Sequence, residues 1–173
     1  MSIDGKVAEG WGGDPGPNGS HVNVVIAERG TATAATLLAA FTSASRGHVP
    51  ILVVVGEDQP SYEPVWPPTI MVNKATALDE RHQTITWGAA QLGIAQGVLD
   101  SVADGLLPAT DEVIVLVCVW VDPAASDETA VRKANREAVR KAIGVAVQGR
   151  DPDAARTLVE RREELTSPFY SGR

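Results

Sequence analysis

The stretch Gly12-Gly13-Asp14-Pro15-Gly16-Pro17-Asn18-Gly19-Ser20-His21-Val22-Asn23-Val24-Val25-Ile26 sets a histidine and an asparagine at the start of an otherwise apolar strand. Side chains alternate along a strand, so His21, Asn23 and Val25 share one face and Val22, Val24 and Ile26 the other. An imidazole titrates close to neutrality and can give or take a proton there. This polar pair, at the mouth of a flexible glycine- and proline-rich loop, is the best local pointer to proton chemistry. The bland alternative is a solvated histidine bonded to a neighbour. Two further features carry the same tension. Tyr62 and Trp66 could flank a flat ligand, but two aromatics in a proline-rich loop more often pack it down. Lys74 and Thr76 end a strand face begun by Ile70 and Val72, either as ligand contacts or as a solvated edge.

The elements that must hold these residues are read from periodicity. The opening strand runs from His21 to Glu28, and Thr31 or Thr33 caps a short helix bearing Leu37, Leu38 and Phe41. Pro50 to Val55 is a continuous apolar run and predicts a strand covered on both sides. Gly56 to Pro68, with four prolines, is an ordered loop, and Thr69 to Thr76 the next strand. Asp79 caps a long helix to Leu106, in which Gly88, Gly93 and Gly97 each cost about 1 kcal/mol against alanine. Glycines retained at that cost predict close approach of another element, or a ligand near the helix's first half. Val113–Val121 is apolar throughout and predicts a central strand, with Cys118 read as core rather than nucleophile. Ser126-Asp127-Glu128 starts a helix to about Val147, whose Lys133, Arg136, Arg140 and Lys141 read as a solvated face. Asp153 to Leu165 predicts a short charged helix, and Thr166 to Arg173 a frayed tail. The result is one α/β (α+β) domain of about four or five strands and three principal helices.

Composition narrows the function classes. The chain has 173 residues, enough for one domain with a core that needs no staples. A single cysteine excludes an intramolecular disulfide, and His21, His48 and His82 lack zinc-site spacing, so no metal is expected. A formal charge of -7 argues against a nucleic-acid surface. No apolar run approaches the roughly 20 residues of a membrane span, and no secretory leader is evident, so a cytoplasmic protein is expected. Phosphate-loop, dinucleotide and Gly-x-Ser-x-Gly motifs are absent.

Four segments in order are more specific. Ser20-His21-Val22-Asn23, Val72-Asn73-Lys74-Ala75-Thr76, Trp87-Gly88-Ala89-Ala90-Gln91 and Asp100-Ser101-Val102-Ala103-Asp104-Gly105-Leu106-Leu107-Pro108 resemble the hallmarks of formaldehyde-activating enzymes. The resemblance covers about residues 7 to 148, and divides the chain into a family-like domain, 1–150, and a C-terminal helical extension and tail, 151–173.

The resemblance implies a fold like the second domain of ribosomal protein S5, assembled as a homopentamer with sites between subunits. It implies condensation of formaldehyde with tetrahydromethanopterin to methylene-tetrahydromethanopterin and water, with the pterin as co-substrate and no bound cofactor. Carried over by position, His21 matches the general acid, and Leu52, Lys74, Thr76 and Gln91 match pterin-contacting positions. Asn23 stands where the family has an aspartate. The Gly56–Pro68 loop is longer than in the family, and Val72 replaces a usual aromatic. A non-catalytic or altered-specificity homologue, binding another reduced pterin or a formaldehyde-reactive amine, is the alternative reading. A scaffold with a vestigial pocket is the third.

Overall fold

A computed structural model of the chain describes residues 2–77 and 79–167; residues 168–173 of the expected tail lie outside them. The strands are β1 (Lys6–Gly12), β2 (Ser20–Glu28), β3 (Ile51–Leu52), β4 (Val54–Val55), β5 (Glu63–Pro64), β6 (Thr69–Asn73) and β7 (Val113–Val121). The helices are α1 (Ala32–Ala39), α2 (Glu80–Thr84), α3 (Gln91–Ala103), α4 (Glu128–Gln148) and α5 (Pro152–Glu160). Five strands form one sheet in the order β1-β2-β7-β6-β3, and β4 and β5 make a separate ribbon. Within the sheet β6 runs parallel to β7 and the other neighbours are antiparallel. The chain is thus a single mixed α/β domain with β7 at the centre, as its apolar sequence requires.

Alternation along β2 decides the layers. Val22, Val24 and Ile26 are fully buried with Val115, Val117 and Val119 of β7, against Ile94 and Val98 of α3 and Ala138, Val139 and Ile143 of α4. On the opposite face α1 covers only one end, where Ala34 and Leu37 pack on Ala27, Ile70 and Ile114. Among the described residues no helix lies over the other end of that face, which bears His21 and Asn23.

Several expectations are corrected. β1 was not expected: its three glycine-rich residues at the C-terminal end disguise an alternating strand, yet it pairs with β2 along its whole length. The predicted strand Pro50–Val55 is two two-residue strands either side of the buried Val53, at the sheet edge, with Leu52 exposed rather than covered. β6 stops at Asn73, so Lys74 and Thr76 lie beyond the ladder. The long helix is α2 and α3 joined by a π-helical segment, Ile85–Ala90, a rare winding found often at functional sites. Arg136 and Arg140 are not merely solvated: they bond Asp100 at 2.6 Å and Asp104 at 2.8 Å on α3.

α4 lies unusually close to its neighbours. A methyl group on Gly10 or Gly12 of β1 would run into the Ala138 or Ala134 carbonyl of α4, and one on Gly93 or Gly97 of α3 into the Arg132 or Arg136 carbonyl. A neighbouring element therefore explains Gly93 and Gly97, whereas Gly88 faces open space. Overpacking a tight contact typically costs about 1–3 kcal/mol. Gly93→Ala should be destabilised by that amount in urea unfolding, while Gly88→Ala should be neutral or gain up to about 1 kcal/mol from helix propensity. Equal effects at the two positions would contradict the close approach.

Candidate functional site

β2 is pinned before its first functional residue. Ser20 Oγ donates to Asn135 Oδ1 at 2.8 Å, and both side chains are wholly buried at the α4 side. With Ser20 turned into the helix layer, alternation turns His21 to the open face. The preceding loop is tied down rather than free: Asn18 Oδ1 accepts from Ser126 N and Asp127 N at 2.9 and 3.1 Å, and Gly13 N donates to Glu137 Oε2 at 2.9 Å.

On the open face four strands bring charge together. Register pairs Glu9 with Asn23 and Asn23 with Cys118, and Cys118 with Val72. The His21 ring lies between two partners: Nε2 is 3.1 Å from Glu9 Oε2, and Nδ1 is 2.7 Å from Lys74 Nζ. Lys74 also donates to Asn23 Oδ1 at 2.9 Å. A carboxylate only accepts, so His21 Nε2 carries the proton and, in the neutral ring, Nδ1 accepts from Lys74. Burial on the sheet face pulls the Lys74 ammonium below its usual range, against the opposing pull of Cys118 and Glu9 as anions. Burial raises the Cys118 thiol, with Lys74 working against it. Cys118 is thus half-buried on this polar face, not sealed in the core as its sequence setting suggests.

Thr76 belongs to a second cluster. His48 Nδ1 lies 2.8 Å from the Asn73 carbonyl oxygen, and its Nε2 is 3.0 Å from Thr76 Oγ1. The carbonyl accepts, so Nδ1 carries the proton; the neutral ring then accepts at Nε2 and Thr76 donates. The threonine oxygen keeps its lone pairs for a ligand's N–H. Beside it a cavity of about 460 Å³ is lined by Arg46, Thr76, Gln83 and Trp87. Trp87 lies in the π-helical segment, four residues before Gln91.

Leu52 and Gln91 stand apart from His21 within one chain. Leu52 lines an apolar groove of about 530 Å³ with Leu38, Phe41, Ile70 and Ile114. Gln91 opens α3, in the layer on the far side of the sheet, and donates to the Val54 carbonyl at 3.3 Å. Tyr62 and Trp66 are both about half exposed and so do not pack their loop down. The sequence reading missed Glu9, whose signal was its parity with Trp11 in β1, and Cys118, whose signal was its parity opposite Asn23. It also passed over His48 as a helix-stopping loop residue; no local signal marks its link to Thr76. Among the described residues no three His, Cys, Asp or Glu side chains cluster as a metal site needs, and no helix is long and apolar enough to cross a membrane.

The family model of formaldehyde-activating enzyme matches residues 9–170. The chain belongs to the formaldehyde-activating enzyme family. It is 33% identical over 156 residues to the 5,6,7,8-tetrahydromethanopterin hydro-lyase of Methanosarcina barkeri, covering 89% of this chain and 84% of that protein. It is also 28% identical to bifunctional Fae/Hps enzymes of Methanothrix thermoacetophila and Archaeoglobus fulgidus, over 86% and 82% of this chain. The matches span only 37% and 35% of those bifunctional proteins. In this family member the two histidines of the open face and the Thr76 cluster hold opposite tautomers. Ring nitrogen spectra at neutral pH should report Nε2–H for His21 and Nδ1–H for His48; the same tautomer at both would refute the proton assignments.

Proposed function

We propose that this chain condenses formaldehyde with tetrahydromethanopterin, or a related reduced pterin, to the methylene adduct and water, and that His21 is its general acid. The observation that carries the reading is the Glu9–His21–Lys74–Asn23 chain of hydrogen bonds on an uncovered sheet face, in a member of this family. A pterin nitrogen adds to formaldehyde to give a carbinolamine, and its hydroxyl leaves as water only when protonated. A positioned imidazole contributes about 10²–10⁴-fold to such a step. The Asn23 amide offers the imidazolium no charge, and the Glu9 carboxylate on the other ring nitrogen supplies it instead.

Lys74, Thr76, Leu52, Gln91 and Asn23 hold the pterin, with Thr76 accepting from a pterin N–H. The spread of these residues supports a homo-oligomer, a pentamer in the family pattern. Leu52 lines a groove of which His21 is no part, and Gln91 stands in the helix layer behind the sheet, which supports a ligand site completed by a second copy of the chain. The exposed apolar residues Val7, Trp11, Leu38 and Phe41 are suited to meet the second copy. The localisation that fits this reading is cytoplasmic.

Initial rates with formaldehyde and tetrahydromethanopterin test it, read against the spontaneous reaction. His21→Ala should lower the protein-dependent rate by about 10²–10³-fold. No acceleration by the native protein sinks the enzyme reading for this pterin, and calorimetric titration then separates a binder from a scaffold. A site shared between subunits makes a further demand: mixed oligomers of inactive His21→Ala and Gln91→Ala chains should regain part of the native rate. Mixtures that stay inactive would place the site within one chain.

A further inference from the structure

We propose that Lys74 is a second catalytic residue, whose side-chain nitrogen captures formaldehyde covalently before the pterin does and passes the carbon on, so that the carbinolamine dehydrated by His21 forms first on the lysine. The inference rests on the reaction assigned above. Its ground is the set of partners around Nζ. The His21 Nδ1 and Asn23 Oδ1 atoms, at 2.7 and 2.9 Å, are two acceptors. A neutral amine has two N–H groups, so both are satisfied and the nitrogen lone pair is left free. An ammonium would carry a third N–H, which finds no carboxylate within ion-pair distance among the described residues.

The groups facing Lys74 from each strand bear this out. From β2 come the His21 ring and the Asn23 amide, neither of which brings a full negative charge. From β1 the Glu9 carboxylate acts only from beyond the imidazole, to which it is bonded. From β7 comes the Cys118 thiol, itself pushed toward its neutral form by burial. Half-burial then disfavours the lysine cation, the direction needed for a nucleophilic amine. The chain's other lysines differ: Lys141 is paired with Glu137 at 2.6 Å on the surface, and Lys6 and Lys133 lie outside this cluster.

The step balances without an oxidant or reductant. The Lys74 nitrogen attacks the carbonyl carbon, a C–N bond forms, and the proton that nitrogen loses passes through His21 to the new hydroxyl. His21 takes up a proton from solvent and delivers it as the C–O bond breaks, so water leaves and the nitrogen lone pair closes an iminium ion. One pterin nitrogen adds to that carbon and loses its proton. The second pterin nitrogen then displaces the Lys74 nitrogen, which leaves as the amine. The sum is formaldehyde plus two N–H groups giving one methylene bridge and water.

Trapping tests this without any pterin. The full chain is incubated at neutral pH with formaldehyde and cyanoborohydride, which reduces the iminium to an N-methyl group, and the sites are mapped by peptide mass spectrometry. Lys74 should be methylated several-fold ahead of Lys6, Lys133 and Lys141. Asn23→Asp places a carboxylate on the nitrogen, and should cut trapping at Lys74 several-fold while leaving the other three lysines unchanged. Methylation of Lys74 no faster than the others, or trapping indifferent to Asn23→Asp in a chain that remains folded by circular dichroism, would overturn the proposal. An undiminished condensation rate in Lys74→Arg would also overturn it, with the reaction itself left intact. Selective trapping without any pterin-dependent rate would instead remove the pterin and keep the lysine.

Discussion

The contact on which the rest depends is the close seating of α4 on β1 and α3 at four glycines. Gly10 and Gly12 from the sheet and Gly93 and Gly97 from α3 let helix carbonyls approach where any methyl would collide. Close approach multiplies dispersion contacts that are individually small, and allows α4 to bury the Val22–Val24–Ile26 face of β2 completely. Once that face is committed, period-two alternation leaves no choice for His21 and Asn23. The buried Ser20–Asn135 bond fixes the same register from the strand's first residue, because a one-residue slip would strand two polar groups inside the core.

The functional face follows from this as what the helices do not cover. α1 seals only the end with Ala27, Ile70 and Ile114. The other end collects Glu9 from β1, His21 and Asn23 from β2, Cys118 from β7 and Lys74 from the end of β6. None is deep enough to be desolvated outright; His21, Asn23, Lys74 and Cys118 are half-buried, and Glu9 reaches in from the exposed rim. That intermediate environment suits proton transfer, since full exposure would screen the couplings and full burial would demand permanent pairing.

How much of this was legible in sequence depended on whether a pattern was local. β2, β7 and α4 announce themselves through valine alternation, an unbroken apolar run and the Asp127 cap, whose side chain accepts from Ala130 N. β1 escaped because glycines replaced the residues that would have shown its buried face; their reason is α4, over a hundred residues away. The Pro50–Val55 run looked sealed because apolar content alone cannot distinguish a covered strand from an edge whose exposed leucine awaits a partner. In the site, His21, Asn23 and Lys74 were found by alternation together with family spacing. Glu9 and Cys118 were not, since their roles exist only across strands, and the Cys118 setting among valines argued for the core. The separation of Leu52 and Gln91 from His21 was invisible to spacing, which records order along the chain but not that Leu52 sits at the far edge of the same sheet face and Gln91 in the helix layer behind it.

Asn23 takes its meaning from Glu9. On sequence alone an amide beside the proposed general acid reads as the loss of the charge that would support an imidazolium. In three dimensions that charge comes from the opposite side of the ring, at Nε2, while the amide faces the lysine. A carboxylate at position 23 would sit against Lys74 and hold it as a cation. An amide there accepts a hydrogen bond without fixing a charge. The face thereby separates two tasks that one shared carboxylate would couple: Glu9 supports the proton on the histidine, and Asn23 orients the lysine without locking its ionisation. The substitution that looks like a defect along the chain is, across the sheet, one that gives Lys74 a hydrogen-bond acceptor without a charge that would hold it as a cation.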